Sequence, residues 1–181
     1  MKISAELDKK SKLANYAFEL SRKLRVSASR AIAAVHDNRI EAVDEAAKKR
    51  LDDLTAKAPF LFSVAGSQIF VSYQEYAEAK MLLGIVKNDR IPAIAVPPEA
   101  LLTGMGDAVG ELKRKFLEEL IAGNRTKAKK LLDHAKKIHD ELSLYDYPDS
   151  IVPGLRRKKD ETRIQVNSML EAYLSSQRGS T

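Results

Sequence analysis

Residues 60–86 read FLFSVAGSQIFVSYQEYAEAKMLLGIV and carry apolar side chains on all sides of a helix. A helix that is apolar all round lies buried at the centre of its fold. Two acids nevertheless stand in this stretch, Glu75 and Glu78, which are three residues apart and so project from one face. The stretch predicts a central helix that carries two carboxylates in line with core residues.

Apolar residues recur at helical spacing on both sides of this stretch. The remaining predicted helices cover residues 5–37, 39–58, 98–122, 126–144 and 155–176, with loops at 88–97 and 145–154. We expect Pro59 to end the second helix and Pro98 to lie in the first turn of the fourth. Gly123 should stop the fourth helix, and Thr126 should cap the fifth. The sequence therefore predicts an all-α fold, a bundle of about six to seven helices that forms a single domain over residues 1–181.

The composition limits the class of protein. With 44% hydrophobic residues, 8 glycines and 6 prolines among 181 residues, the chain is globular and not of low complexity. The absence of cysteine excludes disulfides, cysteine-ligated zinc and cysteine catalysis. The amino end has no secretory pattern, and we expect a cytoplasmic protein with no membrane partner. The formal net charge of +6 permits a nucleic-acid partner.

The fourth predicted helix repeats the acidic pattern of the third. Asp107 and Glu111 are four residues apart and again share a face. Three glycines surround them, Gly104, Gly106 and Gly110. Each glycine costs a helix about 1 kcal/mol relative to alanine, so the close approach of a neighbouring helix or a ligand is the expected compensation.

The two acid pairs contain no histidine and form an all-oxygen ligand set. Such a set suits Mg²⁺ or Mn²⁺ better than Zn²⁺ or Cu²⁺. Divalent ions held by carboxylates can activate water and neutralise charge on a phosphodiester, which indicates metal-assisted hydrolysis. The alternative is that both pairs are solvated, as acid pairs on helices commonly are.

Basic residues are concentrated on the first and the last predicted helix. The candidates for contact with nucleic acid are Arg22, Arg25, Arg30, Arg156, Arg157 and Lys158. Neither group is interleaved with aromatic residues, so we expect binding through the phosphate backbone with weak sequence preference. A solvated helix face is the alternative for each group. We expect the three histidines, His36, His134 and His139, to lie on polar surface or in satisfied packing.

Two motifs carry a resemblance to a known family. They are YQEYAEA at residues 73–79 and GMGDAVGEL at residues 104–112, supported by residues 20–22, 29–30, 36 and 154–160. The chain resembles the translin family, and within it the translin-associated factor X branch and its short single-component relatives. The resemblance covers nearly the whole chain, with the two acidic segments as its specific part.

The resemblance implies an all-helical fold whose subunits assemble into a hollow, largely octameric shell that binds single-stranded RNA and DNA. The factor X branch adds a metal-dependent endoribonuclease. Glu75, Glu78 and Asp107 match that branch's catalytic metal-binding acids, and Glu111 is the adjoining fourth acid. One segment departs from the family, because ALLT at residues 100–103 stands where the family often has Asp-Tyr-Leu-Leu.

Three functions remain open at this point. The first is an Mg²⁺- or Mn²⁺-dependent endoribonuclease acting on single-stranded RNA, and the complete set of acids favours it. The second is a non-catalytic binder of single-stranded RNA or DNA, and the third is a bundle whose acids hold a fold-stabilising ion. In each case the broad apolar faces predict a homo-oligomer, and the resemblance suggests an octamer.

Overall fold

A computed structural model describes residues 2–39 and 44–178. Every regular element in those two ranges is a helix, which confirms the all-α prediction. The helices are α1 (Lys2–His36), α2 (Asp44–Asn88), α3 (Pro98–Ile121), α4 (Arg125–Ser143) and α5 (Leu155–Arg178).

The helix α2 contains both the second and the third predicted helix. The expectation that Pro59 ends a helix is wrong, because Pro59 lies inside α2 and the helical geometry breaks instead at Ala65 (φ −150°, ψ 31°). A proline inside a helix removes one backbone hydrogen bond. Leu54 and Leu61 on either side of it are buried, and this burial offsets the loss. The predicted start of the second helix, at residues 39–43, lies largely outside the described residues.

The ends of α3 and α4 follow backbone chemistry. Pro98 occupies the first turn of α3, as predicted, where its missing N–H costs nothing. After α3 the chain turns at Gly123, whose φ of +76° favours glycine. The helix α4 begins at Arg125, flanked by Asn124, so the expectation that Thr126 caps it is wrong by two residues.

The core consists of two hydrophobic clusters that meet along α2. The larger cluster joins the last part of α2, from Ala79 onward, to α1, α3, α4 and α5, with Phe116 fully buried. The smaller cluster joins α1 to the part of α2 between Ala47 and Tyr76, and it contains Leu24 and Ile69. Tyr76 belongs to the smaller cluster and Ala79 to the larger one, so the two acids of α2 lie where the clusters meet.

Some of the apolar surface of α2 faces solvent. Phe60 is 79% exposed and Phe62 is 47% exposed. Length and composition alone would let one described helix, Ala47–Asn88, cross a membrane, since an 18-residue window in it has a mean hydropathy of 1.3. Only 28% of that window is buried within the chain. The exposed apolar surface of α2 is the surface at which the sequence predicts contact between subunits.

Candidate functional site

The helices α2 and α3 approach each other closely at the level of the acids. A Cβ atom at Gly104 would lie 2.6 Å from the carbonyl oxygen of Gln74 and 2.7 Å from the Cβ of Ala77. Neither neighbour can move easily, since one is backbone and the other is the first atom of a side chain. The expectation that a neighbouring helix compensates the glycine is therefore confirmed at Gly104.

The other two glycines of α3 face α5. A Cβ at Gly106 would lie 3.0 Å from the Cβ of Lys158, and one at Gly110 would lie 3.3 Å from Nε2 of Gln165. The small residues thus let α5 pack against α3 beside the acids. As a result, the side chain of Lys158 runs along α3 toward Asp107.

The structure brings the four acids to one region, and we refer to Glu75, Glu78, Asp107 and Glu111 as the acid cluster. Burial, followed by the charges of Asp107, Glu111 and Glu75, raises the pKa of Glu78 to about 8. The charge of Lys158 acts in the opposite direction and lowers this pKa. Among the described residues, the Glu78 carboxyl has no hydrogen-bond or ion-pair partner. It therefore holds a proton near neutral pH unless a cation lies beside it.

Glu75 lies at the edge of the acid cluster that faces α1. Burial raises the pKa of Glu75 above its usual value, and the charge of Asp107 acts in the same direction. The charge of Arg25 lowers it, and the Nε atom of Arg25 lies 3.9 Å from the Glu75 carboxylate. The separation makes this a loose ion pair, which leaves the carboxylate available to another partner.

The two acids of α3 have close partners. Asp107 accepts a hydrogen bond of 2.5 Å from Nε2 of Gln74, and its other oxygen pairs with the ammonium of Lys158. Glu111 lies 2.7 Å from Nε2 of His36. These contacts fix the directions of both carboxylates before any ligand arrives.

The acid cluster fits a divalent cation by the chemistry of its donors. All four side chains offer carboxylate oxygens, and the raised pKa of Glu78 marks a place where one more positive charge would be stabilised. The side-chain positions do not converge on a point, however. Within the described ranges, no group of three or more His, Asp or Glu side chains is arranged to hold an ion. The ammonium of Lys158 supplies positive charge beside Asp107 instead.

A groove lined by arginines opens beside Glu75. It has a volume of about 490 Å³, and it is lined by Arg22, Arg25, Val26, Ser29, Arg30, Ala33 and Glu75. The three arginines predicted on the first helix thus line one groove, with one acid of the cluster in its wall. We call this the arginine groove.

The predicted basic residues of α5 separate into two environments. Arg156 and Arg157 are exposed, and Arg157 pairs with Glu161 at 3.0 Å. Lys158, in contrast, is only 12% exposed and pairs with Asp107. Its position favours a role in the charge balance of the acid cluster over contact with nucleic acid on the outer surface.

Sequence reasoning did not single out two side chains that touch the acid cluster. Gln74 lies next to Glu75 in the chain, yet its amide reaches Asp107 on another helix. The expectation for His36 is polar surface or satisfied packing. Its side chain is buried and hydrogen-bonded, and its partners are Glu111 and Glu118. One signal was present in the sequence, since His36 belongs to the first-helix residues that resemble the family.

The helical bundle matches the fold of solved structures. The fold superposes on the structure of an AfC3PO–duplex RNA complex with a TM-score of 0.89, at 24% identity, covering 98% of this chain and 96% of that one. It superposes on apo-NeC3PO with a TM-score of 0.75, at 26% identity, covering 97% and 95% of the two chains. The chain therefore has the C3PO fold, and the resemblance to the translin family is confirmed.

Sequence comparison adds a further relationship. The chain is 30% identical over 125 residues to an uncharacterized protein of Methanocaldococcus jannaschii. The aligned region covers 64% of this chain and 56% of that protein, so the chain spans little more than half the length of this relative. No family model matches the sequence.

Proposed function

We propose that this protein is a metal-dependent endoribonuclease that binds and cleaves single-stranded RNA. The single observation that carries the proposal is the acid cluster: two carboxylates from α2 and two from α3 share one region, where burial and mutual repulsion raise the pKa of Glu78 to about 8. Four acids in one region cost stability, and a binding protein would gain nothing from them, since carboxylates repel phosphate. A catalytic centre for phosphodiester hydrolysis accounts for that cost.

The residues of the cluster would divide the work. Glu75, Glu78, Asp107 and Glu111 would hold Mg²⁺ or Mn²⁺, which supplies charge neutralisation and an acidified water when bound. Gln74 holds one oxygen of Asp107 and so sets the direction in which the other points. The proton on Glu78 would leave as the cation binds.

The arginine groove supports RNA as the substrate. It places Arg22, Arg25 and Arg30 beside Glu75, so a phosphate that pairs with these arginines would lie next to the acid cluster. The structural neighbour AfC3PO has been solved with duplex RNA, which supports RNA binding for this chain. Among the described residues that line the groove, none is an aromatic on which a base could stack, so we expect little sequence preference.

The experiment is a cleavage assay on fluorescent single-stranded and duplex RNA of the same sequence. We expect cleavage of the single strand with Mg²⁺ or Mn²⁺, and no cleavage in EDTA. Cleavage that persists in EDTA would rule out the metal mechanism. Preferential cleavage of the duplex would keep the metal mechanism and change the substrate.

A second function, a non-catalytic RNA-binding protein, is favoured by one observation. The ammonium of Lys158 already pairs with Asp107, His36 is hydrogen-bonded to Glu111, and the described acids do not form a three-residue ion site. In that case RNA would bind equally well in EDTA and would remain intact with every divalent ion. Binding measured by fluorescence anisotropy alongside the cleavage assay separates the two functions.

We also propose that the chain acts as a homo-oligomer, with an octameric shell as the expected form. The support is the exposed apolar surface, which includes Phe60, Ile121 and Ile164 at 79%, 88% and 63% exposure. Multi-angle light scattering at micromolar concentration tests this. A monomer would contradict the shell.

A further inference from the structure

The histidine at the end of α1 lies between two carboxylates of α3. The His36 side chain is 4% exposed, with Nε2 at 2.7 Å from Glu111 and Nδ1 at 2.8 Å from Glu118. Each ring nitrogen of His36 is therefore within hydrogen-bond distance of a different carboxylate. A ring held at both nitrogens cannot rotate without losing a buried hydrogen bond.

Glu111, His36 and Glu118 form a hydrogen-bonded bridge, and Glu118, the end farther from the acid cluster, is also held in place. Glu118 pairs with the ammonium of Lys115 at 3.2 Å, and the Lys115 side chain is itself only 4% exposed. The Lys115 ammonium donates a second hydrogen bond, of 3.0 Å, to the side chain of Asn38, two residues after His36. The bridge is thus anchored at its far end in the segment that carries His36, which leaves Glu111 as its end in the acid cluster.

We infer that His36 is a positioning residue, which holds the Glu111 carboxylate in the direction that the acid cluster needs to bind a divalent cation. The inference rests on the proposed function. Side chains that hydrogen-bond a ligating carboxylate orient it, and their loss typically weakens metal binding or activity about 10- to 100-fold. The competing explanation is a purely structural one, in which His36 ties α1 to α3 and has no effect on the cluster.

Metal affinity separates these two explanations. The test uses the full-length chain and its His36→Gln variant, with Mn²⁺ binding measured by calorimetry and RNA cleavage measured across a Mn²⁺ series. Glutamine can donate to one carboxylate but presents an oxygen to the other, so the bridge fails. We expect Mn²⁺ affinity about 10- to 100-fold weaker, recovery of the cleavage rate at saturating Mn²⁺, and an unchanged KM for RNA.

The matched control is His139→Gln. The ring of His139 also makes a hydrogen bond between helices, 2.9 Å from the Thr162 hydroxyl, and it is not a partner of the acid cluster. This variant should lose thermal stability and keep its Mn²⁺ affinity. Wild-type Mn²⁺ affinity in a folded His36→Gln chain would overturn the inference and leave His36 as a structural tie.

Two further outcomes keep the inference distinct from the proposed function. If the wild-type chain binds Mn²⁺ without cleaving RNA, the endoribonuclease proposal fails, and calorimetry still decides the role of His36. If the wild-type chain binds no Mn²⁺, both fail. If His36→Gln does not fold, the Glu118→Gln variant replaces it, because it weakens the hold on the His36 ring at the nitrogen that faces away from Glu111. Unchanged Mn²⁺ affinity in a folded Glu118→Gln chain would overturn the inference.

Discussion

The two acid pairs of the cluster differ in how the fold treats them. On α3, Asp107 accepts from Gln74 and Lys158, and Glu111 pairs with His36. On α2, Glu75 has a loose contact with Arg25. The α3 pair is therefore directed by protein partners before a ligand arrives, whereas the α2 pair has no close partner among the described residues.

The two acids of α2 show the electrostatic consequence of burial and neighbouring charge. Burial and neighbouring charges raise the pKa values of Glu75 and Glu78, the latter to about 8. The free-energy cost of ionising neighbouring carboxylates therefore need not be the same for each of them. Protein partners on other helices lower the cost of burying the α3 pair. Burial and neighbouring charges instead favour the protonated form of Glu78, where a cation would bring the largest gain.

The largest effect that we predict is on cleavage. Glu78→Gln and Asp107→Asn each remove one charge from the cluster and leave the arginine groove intact, so cleavage should fall by about two to four orders of magnitude while RNA affinity is kept. Single-turnover cleavage and fluorescence anisotropy measure the two quantities. Glu171→Gln, on an exposed part of α5, is the control for the loss of an acid. Normal cleavage by both cluster variants would end the nuclease proposal.

The second prediction concerns the free energy of unfolding, which should change in opposite directions when an acid of the α2 pair or an acid of the α3 pair is replaced by its amide. The pKa of Glu78 is raised from 4.5 to about 8, so the stability that its protonated form contributes is complete below pH 4.5 and is lost as the pH rises to about 8. In EDTA, Glu78→Gln should therefore gain stability over wild type across this range, on the order of 2–4 kcal/mol at pH 8.

Asp107→Asn should show the opposite sign at neutral pH, because it removes the close carboxylate partner of the largely buried Lys158 ammonium and leaves the more distant Glu161 at 3.9 Å. Chemical denaturation at several pH values measures both variants. A Glu78→Gln chain whose stability runs parallel to that of the wild type between pH 5 and 8 would show that Glu78 is not the strained member of the cluster.

The third prediction tests the close approach of α2 and α3 at Gly104, which brings the two acid pairs together. Gly104→Ala would place a methyl group 2.6 Å from the Gln74 carbonyl, so α2 and α3 must move apart at an expected cost of about 1–3 kcal/mol. Gly110→Ala is the matched control, since its nearest neighbour is the mobile amide of Gln165 at 3.3 Å. Thermal unfolding should show a clear loss for the first variant only. Equal gains in stability for the two variants, which the higher helix propensity of alanine alone would give, would mean that close approach does not explain Gly104.

The smallest effect concerns RNA affinity. Arg25→Ala with Arg30→Ala should weaken binding to all RNA sequences and reduce the salt dependence by roughly one unit for each phosphate that is no longer neutralised. The same double substitution at Arg156 and Arg157 tests whether α5 contributes equally. Anisotropy at four salt concentrations gives both slopes. If only the α5 pair changes the slope, the arginine groove is not the path of the RNA.

Much of this architecture follows from local chemistry that the sequence displays. The helical periodicity of α3, the proline at its start and Gly123 at its end need no tertiary information. The same is true of the spacing that places Glu75 with Glu78, and Asp107 with Glu111, on single helix faces. The motifs around these acids also carried the resemblance that the structural comparisons confirm.

Helical periodicity does not predict contacts between residues that are distant in the sequence, and these contacts determine how the helices and the acid cluster are arranged. The continuation of α2 past Pro59 depends on apolar burial on either side of it, and the position of Lys158 depends on how α5 crosses Gly106. His36 meets Glu111 across 75 positions of sequence. Sequence spacing determines which side chains share one helix face, because that is a property of the helix alone. Which faces meet, and which acid is left without a partner, depends on the packing of helices against one another, and only the tertiary structure holds that information.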